Sequence, residues 1–128
     1  MSIKRLLLSI VIALAVTPAL TAKRSLPAEV PPIIVDGVRY TVLHRGRAQG
    51  LSQNGGYLEA WNAKTGRWLW RVRVYNVKYN PLQETDAQDI FIKSLSVKDD
   101  KLIVINDAET IYEVDPKTRK VRPQGRVK

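Results

Sequence analysis

Residues 67–75 read RWLWRVRVY. Trp68, Trp70, Val72 and Val74 fall on one side of a two-residue period, and Arg67, Leu69, Arg71, Arg73 and Tyr75 on the other. Successive side chains along an extended strand point to opposite faces, so this stretch predicts a β-strand with one apolar face and one basic face. A helical period would scatter the tryptophans and the arginines around the whole surface. A single strand cannot bury its apolar face alone, so the rest of the chain must supply partners.

The preceding residues supply them. Ile33-Ile34-Val35 and Val38 to Leu43 are two β-branched runs separated by Asp36-Gly37. A two-residue type I′ hairpin turn needs positive φ at both positions, which Asp-Gly tolerates. His44 to Gly56 holds four glycines and no periodicity, and is expected to be a mobile loop carrying Arg45 and Arg47. Tyr57 to Asn62 reads as a strand, with Leu58 and Ala60 on one face and Tyr57, Glu59 and Trp61 on the other. Asn76 to Asp89 is polar, contains Pro81 and reads as a long connection.

A second series follows. Ile90 to Val97 alternates imperfectly, Lys98-Asp99-Asp100 is a turn, and Lys101 to Ile105 is a buried strand. Asn106 to Glu109 turns the chain into a strand from Thr110 to Val114. Asp115 to Thr118 is another turn, Val121 a brief closing strand, and residues 123–128 a frayed basic tail. Amphipathic helical patterning is not found after the N-terminus. The fold class expected is all-β, about eight antiparallel strands in two four-stranded meanders of residues 32–76 and 90–122.

The N-terminus has its own logic. Lys4 and Arg5 precede an eleven-residue run, Leu6 to Val16, broken only by Ser9; Thr17 to Ala22 then brings small residues and Pro18. This order matches a secretory signal helix with cleavage near Ala22, followed by a proline-rich linker over residues 23–31. A membrane span needs about 20 apolar residues, so an uncleaved anchor is the alternative. The expected location is periplasmic or secreted. Cleavage removes Lys4 and Arg5 and no acid, lowering the net charge from +9 to +7. Such a charge attracts polyanions without identifying one. The chain has no cysteine, which excludes disulfides, thiol chemistry, thiolate–metal sites and a lipobox anchor.

The two halves can be overlaid, with Asn62 on Asp115, Lys64 on Lys117 and Thr65 on Thr118. In the first half, Ala60-x-Asn62-x-x-Thr65-Gly66-x-x-x-Trp70 resembles the tryptophan-docking repeat of quinoprotein-like (PQQ-type) β-propellers, commonly Ala-x-Asp-x-x-Thr-Gly-x-x-x-Trp. Asp36-Gly37-Val38-x-Tyr40 resembles the hairpin between a blade's first two strands. The second half is degenerate: Arg119 stands for the glycine and Pro123 for the tryptophan. The resemblance covers most of residues 31–122 and implies two propeller-blade-like meanders. Closed propellers have roughly four to eight blades, so a monomeric two-sheet domain is expected, with a ring of several chains as the alternative. Physically, Asn62 or Asp115 can accept backbone N–H bonds to fix its turn. Trp70 then carries a large apolar area inward, with Trp68 on the same side of the alternation.

Quinone-dependent enzymes of that family use a full propeller, a metal ion and a catalytic aspartate, none of which maps onto this chain residue by residue. No catalytic residue, cofactor or metal site is therefore assigned. His44 is the only histidine, and a zinc site wants three or four ligands. The aspartates at 86, 89, 99 and 100 lack the spacing of a calcium loop and suit turns. The candidate binding face is Arg45, Arg47, Trp61, Arg67, Arg71 and Arg73.

Two functions compete. One is an exported, non-catalytic module for protein interaction or scaffolding, with an envelope protein as partner. The other is a binder of a polyanion or small molecule, such as anionic lipid or polysaccharide, using the arginine stripe with Tyr57, Trp61 and Trp68. A quinoprotein-type enzyme fragment ranks below both. The six basic residues between Lys117 and Lys128 suit an anionic surface. Nucleic acid is disfavoured, since that segment has no interleaved aromatics to stack bases.

Overall fold

The computed structural model describes residues 27–128; the expected signal peptide over residues 1–22 and the first residues of the expected linker lie outside them. Eight strands are described: β1 (Ile33–Val35), β2 (Val38–Leu43), β3 (Tyr57–Asn62), β4 (Trp68–Arg73), β5 (Ile92–Lys98), β6 (Lys101–Asn106), β7 (Thr110–Val114) and β8 (Val121–Arg126). They form two antiparallel meanders, β1-β2-β3-β4 and β5-β6-β7-β8. The fold is all-β, as the alternation requires.

The first and last turns of each meander are equivalent in the two halves, whereas the β2–β3 connection is far longer than the β6–β7 turn. Asp36 and Gly37 have φ of 51° and 78°, closing the β1–β2 hairpin between the paired Val35 and Val38. Asp99 and Asp100 do the same between Lys98 and Lys101, with φ of 51° and 62°. Between β3 and β4, Asn62 Oδ1 accepts from the amides of Lys64 and Thr65 at 2.9 and 3.0 Å, and Thr65 Oγ1 accepts from the Arg67 amide. Between β7 and β8, Asp115 Oδ1 accepts from Lys117 and Thr118, and Thr118 Oγ1 from Lys120. Gly66 takes positive φ (77°) in the first turn, and Arg119 takes it (65°) in the second. A non-glycine residue there costs about 1–2 kcal/mol.

The apolar faces of both sheets meet in one core. Leu58, Ala60, Trp70, Val74 and Tyr75 from the first half join Ile92, Leu102, Val104 and Val114 from the second. Leu58, Ile92, Leu102, Val104 and Val114 are fully buried, and each contributes about 1.5–3 kcal/mol by leaving water. Tyr75 stacks on Tyr112 at 5.2 Å, and the Arg119 guanidinium sits 5.3 Å from the centre of the Trp70 ring. The second turn thus covers the tryptophan of the first meander.

The alternation of β4 is interrupted. Trp70 pairs with Ala60 but Trp68 pairs with Trp61, so Leu69 is an extra residue and the register shifts. This bulge turns Trp68 onto the face of Trp61. Trp70 is 9% exposed and packs against Tyr40, whereas Trp68 is 48% exposed. The expectation of Trp68 in the core is corrected for that reason. Tyr75 is also inward, because β4 ends at Arg73 and the chain then bends.

Two segments are more ordered in their bonding than their composition implies. The 44–56 segment contains a 3₁₀ turn, Gly46–Gln49, and a Gln53 that is 1% exposed. The Gln53 amide donates to the carbonyls of Gly55 and Tyr75 and accepts from the Val77 amide. Gly55 lies so close to Ile90 that a Cβ would meet its carbonyl oxygen at 2.1 Å. Residues 121–126, in turn, are an edge strand paired with β7 rather than a frayed tail from Pro123. Main-chain bonding to β7 does not depend on apolar side chains, and an edge strand tolerates Pro123.

Two predictions follow from this packing. Trp70→Ala should destabilise by about 3–5 kcal/mol and Trp68→Ala by under about 1 kcal/mol, measured by urea unfolding. Equal losses would remove the bulge-based assignment. Asp115 is held below its ordinary carboxyl pKa of 3.8, chiefly by the Lys117 amide. A lowered folded pKa gives stability that is present above 3.8 and lost as pH falls through the folded value. Melting temperature should therefore fall below about pH 4, and Asp115→Asn should shrink that acid loss.

Candidate functional site

The face of the first sheet turned away from the core is built by register. Arg39 lies opposite Trp61, Thr41 opposite Glu59, Glu59 opposite Arg71, Trp61 opposite Trp68 and Tyr57 opposite Arg73. Because the strands alternate, these side chains share one side of the sheet. Trp61 is half-buried, its indole N–H donating to Thr41 Oγ1 at 3.0 Å. The exposed indole is that of Trp68, with Arg71 Cζ 5.9 Å from its ring centre. Leu69 beside it is 40% exposed and Ile34 64%.

Arg71 and Arg73 differ in kind. Arg71 Nε and Nη2 both donate to Glu59 Oε2, at 3.1 and 2.9 Å, and Nη2 also reaches Gln49. Glu59 is 7% exposed, so this pair holds a carboxylate that has left water. The guanidinium groups of Arg39, Arg67 and Arg73 are exposed and have no carboxylate partner among the described residues. The face therefore has an internally compensated centre with the uncompensated Arg39 and Arg73 on the same side of the sheet.

The structure separates the other candidates. Arg67 lies in the turn before β4, paired with Asn62, so alternation sets it on the side opposite Trp68. Arg47 is turned elsewhere, stacking its guanidinium 4.5 Å from the centre of the Tyr79 ring. Tyr79 donates to Asp89 at 2.6 Å, and its hydroxyl is pushed up to about 12 by burial and by that carboxylate. Arg45 lines an open groove of about 420 Å³ with Pro27, Glu29, His44, Ala48 and Gln49. Gln49 links this groove to Arg71. Tyr57 is 5% exposed, its ring covered by the backbone at Gly46, so it is not available on the surface.

The repeat-motif residues lie where they fasten the sheets. Ala60 and Trp70 are paired in the core, while Asn62, Thr65 and Gly66, and Asp115 and Thr118, form the two turns. Trp68 and Leu69 are the surface residues that simple alternation misses. A signal for them exists in the turn: Asn62 N–H bonds the Arg67 carbonyl. Counting outward from that pair places Trp68 opposite Trp61, on the outer face. Among the described residues, no three of His, Asp and Glu gather into a metal-holding group. Comparison with known protein families and with curated proteins finds no match.

The compensated pair gives a direct contrast. Arg71→Gln strands a buried carboxylate and should cost about 2–4 kcal/mol, whereas Arg73→Gln should stay within about 0.5 kcal/mol. Thermal melts of the two variants would show this, and equal melts would mean that Glu59 is solvated.

Proposed function

We propose that this chain is an exported, non-catalytic β module that binds a protein partner in the cell envelope through the outer face of its first sheet. The observation that carries the reading is Trp68, 48% exposed beside an exposed Leu69, with Arg71 5.9 Å from its ring and Arg73 on the same side of the sheet. Tryptophan and arginine are the residue types that dominate binding energy at interfaces. An apolar centre ringed by charge is the usual anatomy of such a surface. The signal-like N-terminus supports export. The matched turns and the covered Trp70 support reading residues 31–122 as two blade-like repeats of the quinoprotein-like type. That resemblance concerns the scaffold, since a fold does not define an activity.

The polyanion reading has one observation in its favour, the uncompensated guanidinium groups of Arg67 and Arg73. The two readings separate experimentally. A photo-crosslinking amino acid placed at Trp68 in cells should give a discrete protein adduct, absent from the same substitution at solvent-facing Lys117. Arg67→Gln with Arg73→Gln should weaken that adduct. Strong heparin retention that falls with these two substitutions, together with no protein adduct at position 68, would transfer the face to a polyanion.

A further inference from the structure

The geometry of β4 points to how the partner is held. We infer that an acidic, extended segment of another protein adds to the free edge of β4 as a fifth, main-chain-paired strand. This rests on the interaction reading above and names its chemistry. β4 ends the strand order of its sheet, and only β3 pairs with it. The Val74 amide donates to the Gly56 carbonyl on the β3 side at 2.7 Å. Hydrogen-bonding direction alternates along an antiparallel strand, so the N–H and C=O groups of Arg73 and Arg71 point away from β3. Among the described residues, no backbone bond from another segment reaches either.

The edges of the two sheets are not equally guarded. β1 has three residues and follows Pro31-Pro32. β8 carries Pro123 and Gly125 within it. Short strands and prolines are the ordinary protection against unwanted pairing. β5 presents Lys93, Ser96 and Lys98 and no aromatic residue. β4 has no proline, and its guard is charge of one sign beside an exposed tryptophan and leucine.

Charge selects the occupant. Residues 60–83 contain no aspartate or glutamate. A second copy offering its own β4 would set Arg71 and Arg73 against the same arginines, and like charges directly opposite destabilise a strand pair. An incoming strand with a carboxylate beside Arg73 and an apolar residue against Trp68, on one side of the sheet, meets both requirements. Main-chain bonds then supply affinity and the arginines supply selection, as in strand-addition recognition generally.

The test uses the full exported chain and a synthetic peptide of about seven residues, enough to span β4 at roughly 3.3 Å per residue, with Glu at the position facing Arg73 and Val at the position facing Trp68 on the same side of the strand. Amide exchange at Arg71 and Arg73 is measured by NMR with and without it. Binding should slow both amides by about tenfold or more, and N-methylating the peptide on its pairing edge should weaken affinity by about tenfold. Equal binding of the methylated peptide, or unchanged exchange in the bound state, overturns strand addition. So does a heparin oligosaccharide that outcompetes the peptide, because charge alone is then sufficient. Should strand addition fail while the crosslink at position 68 persists, the interaction reading stands without it; loss of both removes both.

Discussion

Which side of a sheet each tryptophan faces depends on one extra residue in β4. The turn at Asn62–Arg67 and the core at Ala60 impose opposite parities on the strand between them. A regular ladder counted from the turn would set Trp70 against Glu59, on the outside. The bulge at Leu69 resolves the conflict by letting Trp70 reach Ala60 while Trp68 stays with Trp61. Bulges re-aim side chains in this way at edges and near sites. The core of the first sheet and the surface proposed for binding are thus two results of the same local irregularity.

The second half repeats the turn but changes its use. Asp115 and Thr118 reproduce the hydrogen bonds of Asn62 and Thr65. The glycine position is instead held by Arg119 in a conformation that favours glycine. Its side chain lies over Trp70, and such a cation–π contact contributes about 0.5–1 kcal/mol at an exposed site. The gain offsets about half of the backbone cost of about 1–2 kcal/mol. The exchange gives the turn a contact with the first sheet that glycine could not make.

Much of this was legible in the residues. Asp36-Gly37 and Asp99-Asp100 announced their hairpins because few residue pairs accept positive φ twice. The alternation of Tyr57–Asn62 gave β3 its bounds, since Leu58 and Ala60 had to share a buried face. The bulge was not legible from alternation, because parity is set by register with a partner strand. Residues 123–126 are illegible for a different reason: β8 is held by main-chain bonds, to which polar composition is blind. At the candidate site, Arg71, Arg73 and Trp61 share one side of the first sheet as the alternation implies, whereas Trp68 joins them only through the bulge. Arg45 and Arg47 were grouped by chain proximity, and the fold carries Arg47 to Tyr79 instead.

The shared core also bears on how the chain loses structure. Tyr75 lies against Tyr112, Arg119 over Trp70, and the Tyr75 hydroxyl bonds the Ile90 carbonyl. Each of these contacts has one partner in either meander, and neither sheet can close its apolar face without the other. Opening one half exposes the other half's interior to water at the same moment. The two halves share one core, so they are expected to unfold together, and a break in the 76–89 connection would leave two fragments that must find each other to fold.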